Sequence, residues 1–297
     1  MKEVAKLVAV QVTDDLTCYG YLMNDDKEIL VDTLLNSLKA GEKAKGRKTG
    51  ITRKDIEKIV PSKDEIVIVI SEEYTLTYTI EPADATSKDV TFVSLDNTIA
   101  SVDQDGKITG LKQGITKVEI RSDKDPDIKG ITTVYVLSKT IMSDTYHVTH
   151  KNDVDNSYNL YNLDYVSGVQ PKTTINDFLD NFSNPATYLH VYSNGTEVTD
   201  LTQFTGSALV LKLEIAGKVH DEITVIVKGD IGTYDEPGDG VVKATDFTEA
   251  SRYISKLKAT TDLAKAQIDI NYDGTLSAVD KNEISSYVAG KSSKLED

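Results

Sequence analysis

Hydrophobic and polar positions follow two regimes along the chain. Between residues 60 and 228 apolar residues alternate with polar ones, or run in short β-branched stretches bounded by Gly, Pro, Asn and Asp, as strands do. Strands are predicted at 66–70 and 74–80, and a turn cluster follows at 81–86. Farther on, 188–192 and 197–198 flank Ser193-Asn-Gly195, and 208–215 and 222–227 flank Ala216-Gly217, so each pair reads as a hairpin. One helix interrupts this region at 174–182, with Thr174 as cap and Ile175, Phe178, Leu179 and Phe182 on its apolar stripe. Beyond 229 the spacing becomes helical: Phe247, Ala250, Ile254 and Leu257, then Ile284, Tyr287 and Val288.

The first 59 residues read as a small α/β unit. Residues 4–12 alternate weakly, as a strand, and 28–38 place Ile29, Leu30, Leu34, Leu35 and Leu38 on one helical stripe. A basic loop punctuated by glycine follows, with Lys39, Lys43, Lys45, Arg47 and Lys48; it is read either as an arm for an acidic partner or as a solvated loop. Thr52-Arg-Lys-Asp55 has the form of a capping box before Ile56 and Ile59.

The sharpest chemistry lies at 269–280. Asp269, Asn271, Asp273 and Asp280 fall at positions 1, 3, 5 and 12 of a twelve-residue loop, and Thr275 at position 7 offers a carbonyl. Calcium takes six to eight oxygens at ~2.3–2.6 Å, which such a loop can bring together. Gly274 stands where the chain turns sharply. Asp235, Asp239, Gly240, Val242, Asp246, Tyr253 and Ile254 recur 34 residues later as Asp269, Asp273, Gly274, Leu276, Asp280, Tyr287 and Val288, an internal repeat. In the first copy, with Asp235 at position 1, position 3 is Pro237, which has no side-chain oxygen. Asp230 or Glu236 is the alternative donor, beside Asp239, the Val241 carbonyl and Asp246.

Two loop–helix units within 229–291 resemble a dockerin, which implies bound Ca2+ and a cohesin-like partner. About five residues are inserted in the first loop relative to that family. Where many dockerins carry Ser-Thr at positions 10–11, this chain has Ala244-Thr245 and Ala278-Val279. Upstream, Pro82 to Thr86, Ser94 to Val102 and Gly106-Lys-Ile-Thr-Gly-Leu-Lys-Gln-Gly114 resemble a bacterial immunoglobulin-like domain of group 2, with Phe92 replacing the usual Trp. Residues 139–228 resemble the small β module that often precedes a dockerin in surface proteins of Gram-positive anaerobes.

The expected fold is therefore multidomain and mainly β. It comprises a small α/β N-terminal unit (1–59), an immunoglobulin-like β-sandwich (60–138), a β-rich module with one helix (139–228) and a small α-helical calcium-loop, dockerin-like module (229–297).

Charge narrows the partners. With 33 basic and 48 acidic residues the net charge is −15, which argues against nucleic acid, since phosphate contacts need Lys and Arg. The single cysteine, Cys18, cannot form an internal disulfide. No stretch approaches the ~18 apolar residues of a membrane span, and no secretory signal is recognised at the start. Catalytic motifs are lacking; His147-Val-Thr-His150 reads as strand, where the two imidazoles point to opposite faces. The expectation is a non-enzymatic display protein. The first reading is a phage virion component, projecting immunoglobulin-like and calcium-clamped modules for adhesion and docking on virion or cell-surface proteins through residues 1–59. The alternative is a fragment of a secreted, cell-surface or cellulosome-type protein that binds a cohesin or a surface polysaccharide.

Overall fold

The computed structural model describes residues 6–13, 16–22, 54–154 and 156–295. At the amino-terminal end, β1 (Lys6–Thr13) and β2 (Leu16–Leu22) form an antiparallel hairpin, with Val10 opposite Cys18. The predicted helix at 28–38 and the basic loop of Lys39, Lys43, Lys45, Arg47 and Lys48 lie outside the described residues.

The next unit is a β-sandwich. Its strands are β3 (Lys58–Pro61), β4 (Glu65–Val69), β5 (Glu73–Thr75), β6 (Tyr78–Glu81), β7 (Val90–Ser94), β8 (Ala100–Val102), β9 (Lys107–Gly110), β10 (Gly114–Ser122) and β11 (Lys129–Leu137). One sheet has the order β4-β11-β10-β7, with β4 parallel to β11; β3-β6 and β5-β9-β8 form the smaller sheets. Alternation along β11 buries Val134 and Val136, and β10 adds Val118 and Ile120. Phe92 takes its place in this core, edge-to-face with Tyr78 at 5.7 Å. Each such aliphatic or aromatic side chain contributes about 1.5–3 kcal/mol on burial. Buried Glu119 is neutralised by Arg121 at 2.6 Å and Lys129 at 2.7 Å. The capping-box reading of 52–55 is corrected here: residues 54–57 are not helical, and Ile56 and Ile59 enter the sandwich core, where β3 pairs with β6. Tertiary pairing outweighs a short local capping signal.

The β-rich unit contains β12 (His147–Thr149), β13 (Tyr165–Val169), α1 (Ile175–Leu179), β14 (Leu189–Ser193), β15 (Thr196–Glu197), β16 (Val210–Ile215) and β17 (Lys218–Val227). They form one sheet, β12-β13-β17-β16-β14-β15. Thr174 caps α1 by accepting from the Asp177 N–H, and Ile175, Phe178 and Leu179 pack on the sheet. The β14–β15 turn places Asn194 and Gly195 at φ 46° and 75°, as its Asn-Gly pair dictates. This core also takes in Val69 of β4, with Val67 and Leu137 against it, so sandwich and β-rich unit share apolar surface. Asp221 accepts a hydrogen bond from the Ile141 N–H (2.7 Å) and another at His150 Nε2 (3.0 Å), pinning the connecting segment.

The last unit is helical: α2 (Ala244–Ile254), α3 (Asp262–Ile268) and α4 (Ala278–Val288) around Ala250, Tyr253, Ile268, Ile270 and Ile284. The short α3, capped by Thr261, was not foreseen from the spacing. Leu257 does not join the apolar face: α2 ends at Ile254, Lys256 turns to φ 58°, and Leu257 is 78% exposed. Tyr161, Tyr165 and Ile226 of the β-rich unit and Ala266 of α3 form a separate buried seam.

Candidate metal centre

The second loop is closed by its two end carboxylates, both fully buried. Asp269 Oδ1 accepts from the Asp273 N–H (3.2 Å) and Oδ2 from the Gly274 N–H (2.8 Å). Asp280 Oδ1 accepts from the Ile270 N–H (2.9 Å), while Oδ2 accepts from the Ser277 N–H (2.9 Å) and hydroxyl (3.1 Å), which also starts α4. Position 1 is thereby tied to positions 5 and 6, and position 12 to position 2. Tyr272 and Gly274 take φ 54° and 79° to permit this curl. At the exposed side, Asp273 accepts from the Thr275 hydroxyl (2.6 Å) and N–H (2.8 Å) and from Asn271 Nδ2 (2.9 Å). The Thr275 hydroxyl, followed by Asn271, holds its carboxyl below the usual range, so it stays ionised.

Two further side chains come from outside the loop and were missed by sequence reasoning. Tyr161, buried in the β-rich unit, donates to Asp269 Oδ2 at 2.6 Å. Burial, then this bond, drive its phenol far above its ordinary value, so it remains the donor. Lys228, 1% exposed, donates to the Asp269 carbonyl and sits 3.8 Å from the Tyr272 ring centroid. No local motif marks either residue, because both act across the fold.

The first loop has a different register from the one read with Asp235 at position 1. Asp230 Oδ2 accepts from the Gly240 N–H at 3.2 Å, as Asp269 does from Gly274. Asp246 accepts from the Ile231 and Lys243 N–H groups, as Asp280 does from Ile270 and Ser277. Asp239 accepts from Val241, as Asp273 does from Thr275. Asp230 is thus position 1, and the insertion is a detour between Ile231 and Asp239. Asp235 and Glu236 stand exposed on that detour, in a turn closed by Thr233 N–H to the Glu236 carbonyl. The repeated dipeptide Asp230-Ile231 and Asp269-Ile270 was the available signal; the uniform 34-residue offset concealed it.

This loop has partners that the second lacks. The Lys243 ammonium at position 9 pairs with Asp239, where the second loop has Ser277. Asp230 also takes the Ser207 N–H of the β-rich unit at 2.7 Å. Burial raises its carboxyl to about 6 against the pull of these N–H groups. Around it the backbones close up: the Gly238 N–H donates to the Ser207 carbonyl, and a Cβ on Gly206 would lie 1.7 Å from the Gly238 oxygen.

The donor set of the second loop suits calcium, since every side chain it brings forward carries oxygen and two of its acids are buried and oriented by N–H donors. Asp269, Asn271, Asp273, Asp280 and the Thr275 carbonyl are the residues that would hold the ion. Among the described residues no three His, Cys, Asp or Glu side chains converge as a metal cluster. The histidines do not form a pair: His147 stacks on Tyr158 at 3.8 Å, while His150 bonds Asp221.

Residues 58–140 match the family model of the bacterial Ig-like domain (group 2). Residues 233–289 match the dockerin type I domain. The dockerin match begins inside the detour and leaves out Asp230. Both domains are non-catalytic modules, and dockerin type I domains bind calcium. Two uncharacterized proteins of Clostridium acetobutylicum are similar over part of the chain. One is 35% identical over 78 residues, covering 26% of this chain and 8% of the relative. The other is 34% identical over 74 residues, covering 25% and 19%. The chain thus spans less than a fifth of either relative's length. Among solved structures, the intimin–Tir90 complex aligns at 12% identity over 32% of this chain and 61% of that one, with TM-score 0.24. Domains 5–6 of the S-layer protein SbsC align at 12% identity over 58% and 98%, with TM-score 0.25. Scores this low bear on neither partner nor activity. No helix among the described residues is long and apolar enough to cross a membrane.

Proposed function

We propose that the chain is a non-enzymatic modular protein of a bacterial surface or secreted assembly, held in place by its dockerin domain binding a cohesin. The observation that carries this reading is the dockerin match together with the oxygen-lined second loop. The Ig-like and β-rich units serve as the spacer that sets the dockerin's orientation. Partner contact falls at the starts of α2 and α4, where Ala244, Thr245, Ala278 and Val279 are exposed. With Ala, Thr and Val there, the contact is more apolar than a Ser-Thr pair would make, so a cohesin with an apolar groove is the fitting partner. The matched modules favour this reading over a virion component. Size-exclusion chromatography against a panel of cohesin domains tests it. A complex in calcium that dissociates in chelator is expected; a calcium-loaded chain that binds none of them overturns the proposal.

A further inference from the structure

The dockerin domain meets the β-rich unit through its own calcium loops. Tyr161, 3% exposed, is fixed by the seam it shares with Tyr165, Ile226 and Ala266, and its hydroxyl donates the 2.6 Å bond to Asp269. Asp269 is the loop's first ligand position. Lys228, at the end of the strand leading into the domain, holds the Asp269 carbonyl and lies over Tyr272 at position 4. The acid at position 1 and the ring at position 4 are therefore both set by side chains outside the loop. An outer hydrogen bond to a ligating carboxylate fixes which oxygen faces the ion, and losing one typically costs about 10–100-fold in metal affinity.

We infer that Tyr161 is a positioning residue for the second calcium loop, so that residues 139–289 take up calcium as one unit. This rests on the calcium reading of that loop. Because coupling is reciprocal, calcium also tightens the docking of the β-rich unit.

The experiment uses the full chain. Calcium affinity is measured by calorimetric titration for wild type and Tyr161→Phe, and melting is recorded in calcium and in chelator. The expected result is an affinity lower by about tenfold or more in Tyr161→Phe, with a smaller calcium-induced rise in Tm. A merely structural role lowers Tm equally in both conditions and leaves affinity unchanged, and that result overturns the inference alone. Absence of calcium uptake by wild type overturns the loop reading beneath it as well. Amide exchange of wild type decides independently of the variant's folding. Calcium slows exchange across 156–166 as well as 269–280 if the inference holds; protection confined to 269–280 overturns it.

Discussion

Tyr161 and Asp269, 108 positions apart, share a buried hydrogen bond of 2.6 Å. The contact joins the β-rich unit to the first residue of the second loop of the dockerin domain.

Calcium binding is expected to be carried mainly by the second loop. Asp273→Ala removes the position-5 carboxylate there, whereas Asp239 in the first loop is already paired with Lys243. Titration should show a large loss of affinity for Asp273→Ala and little change for Asp239→Ala. At free calcium about 100 times Kd, wild type gains about 2.7 kcal/mol of stability, which melting in calcium against chelator reads directly. Equal losses in the two variants contradict the assignment.

Lys243→Ser places in the first loop the residue that the second has at position 9. Freeing Asp239 from the ammonium should raise the calcium affinity of the first loop, seen as a second ion in native mass spectrometry. Asp235→Asn, on the exposed detour, should alter neither ion. A response to Asp235→Asn instead of Lys243→Ser would restore the 34-residue register.

Gly206→Ala should loosen the join between dockerin domain and β-rich unit. Its Cβ would stand 1.7 Å from the Gly238 carbonyl oxygen, a backbone atom that cannot swing aside. A destabilisation on the order of 2–4 kcal/mol is expected from such overpacking. Gly195→Ala is the comparison, since a Cβ there meets nothing within 4 Å and only its φ of 75° is strained. Chemical denaturation should rank Gly206→Ala as the more damaging.

A pH dependence centres on His150. Its hydrogen bond to Asp221 raises its pKa above 6.5, against desolvation. The unfolded chain releases this proton near 6.5, the folded chain only higher. The stabilisation is therefore complete below about pH 6.5 and is lost as pH rises through the folded value. Urea melts from pH 5.5 to 8.5 should show this decline, and His150→Gln should flatten it.

Much of this was legible in the residues themselves. Alternation placed strands on either side of Asn194-Gly195 and Ala216-Gly217, and the Pro82–Thr86, Ala100/Val102 and Gly106 pattern marked the sandwich, because period-2 burial and turn chemistry are local properties. The spacing of Asp269, Asn271, Asp273 and Asp280 likewise singled out a twelve-residue loop that begins and ends on an acid, since all four lie within one local stretch. Tertiary structure alone decided that Ile56 and Ile59 belong to the sandwich, as a strand edge must find its partner far along the chain. It also decided the register of the first loop: the insertion is visible in the residues, but which acid stands at position 1 is set by the bonds of Asp230 to Gly240 and of Asp246 to Ile231. Last, it placed Tyr161 and Lys228 at Asp269: a buried donor is assigned to an acceptor by packing between units, and no spacing along the chain encodes that meeting.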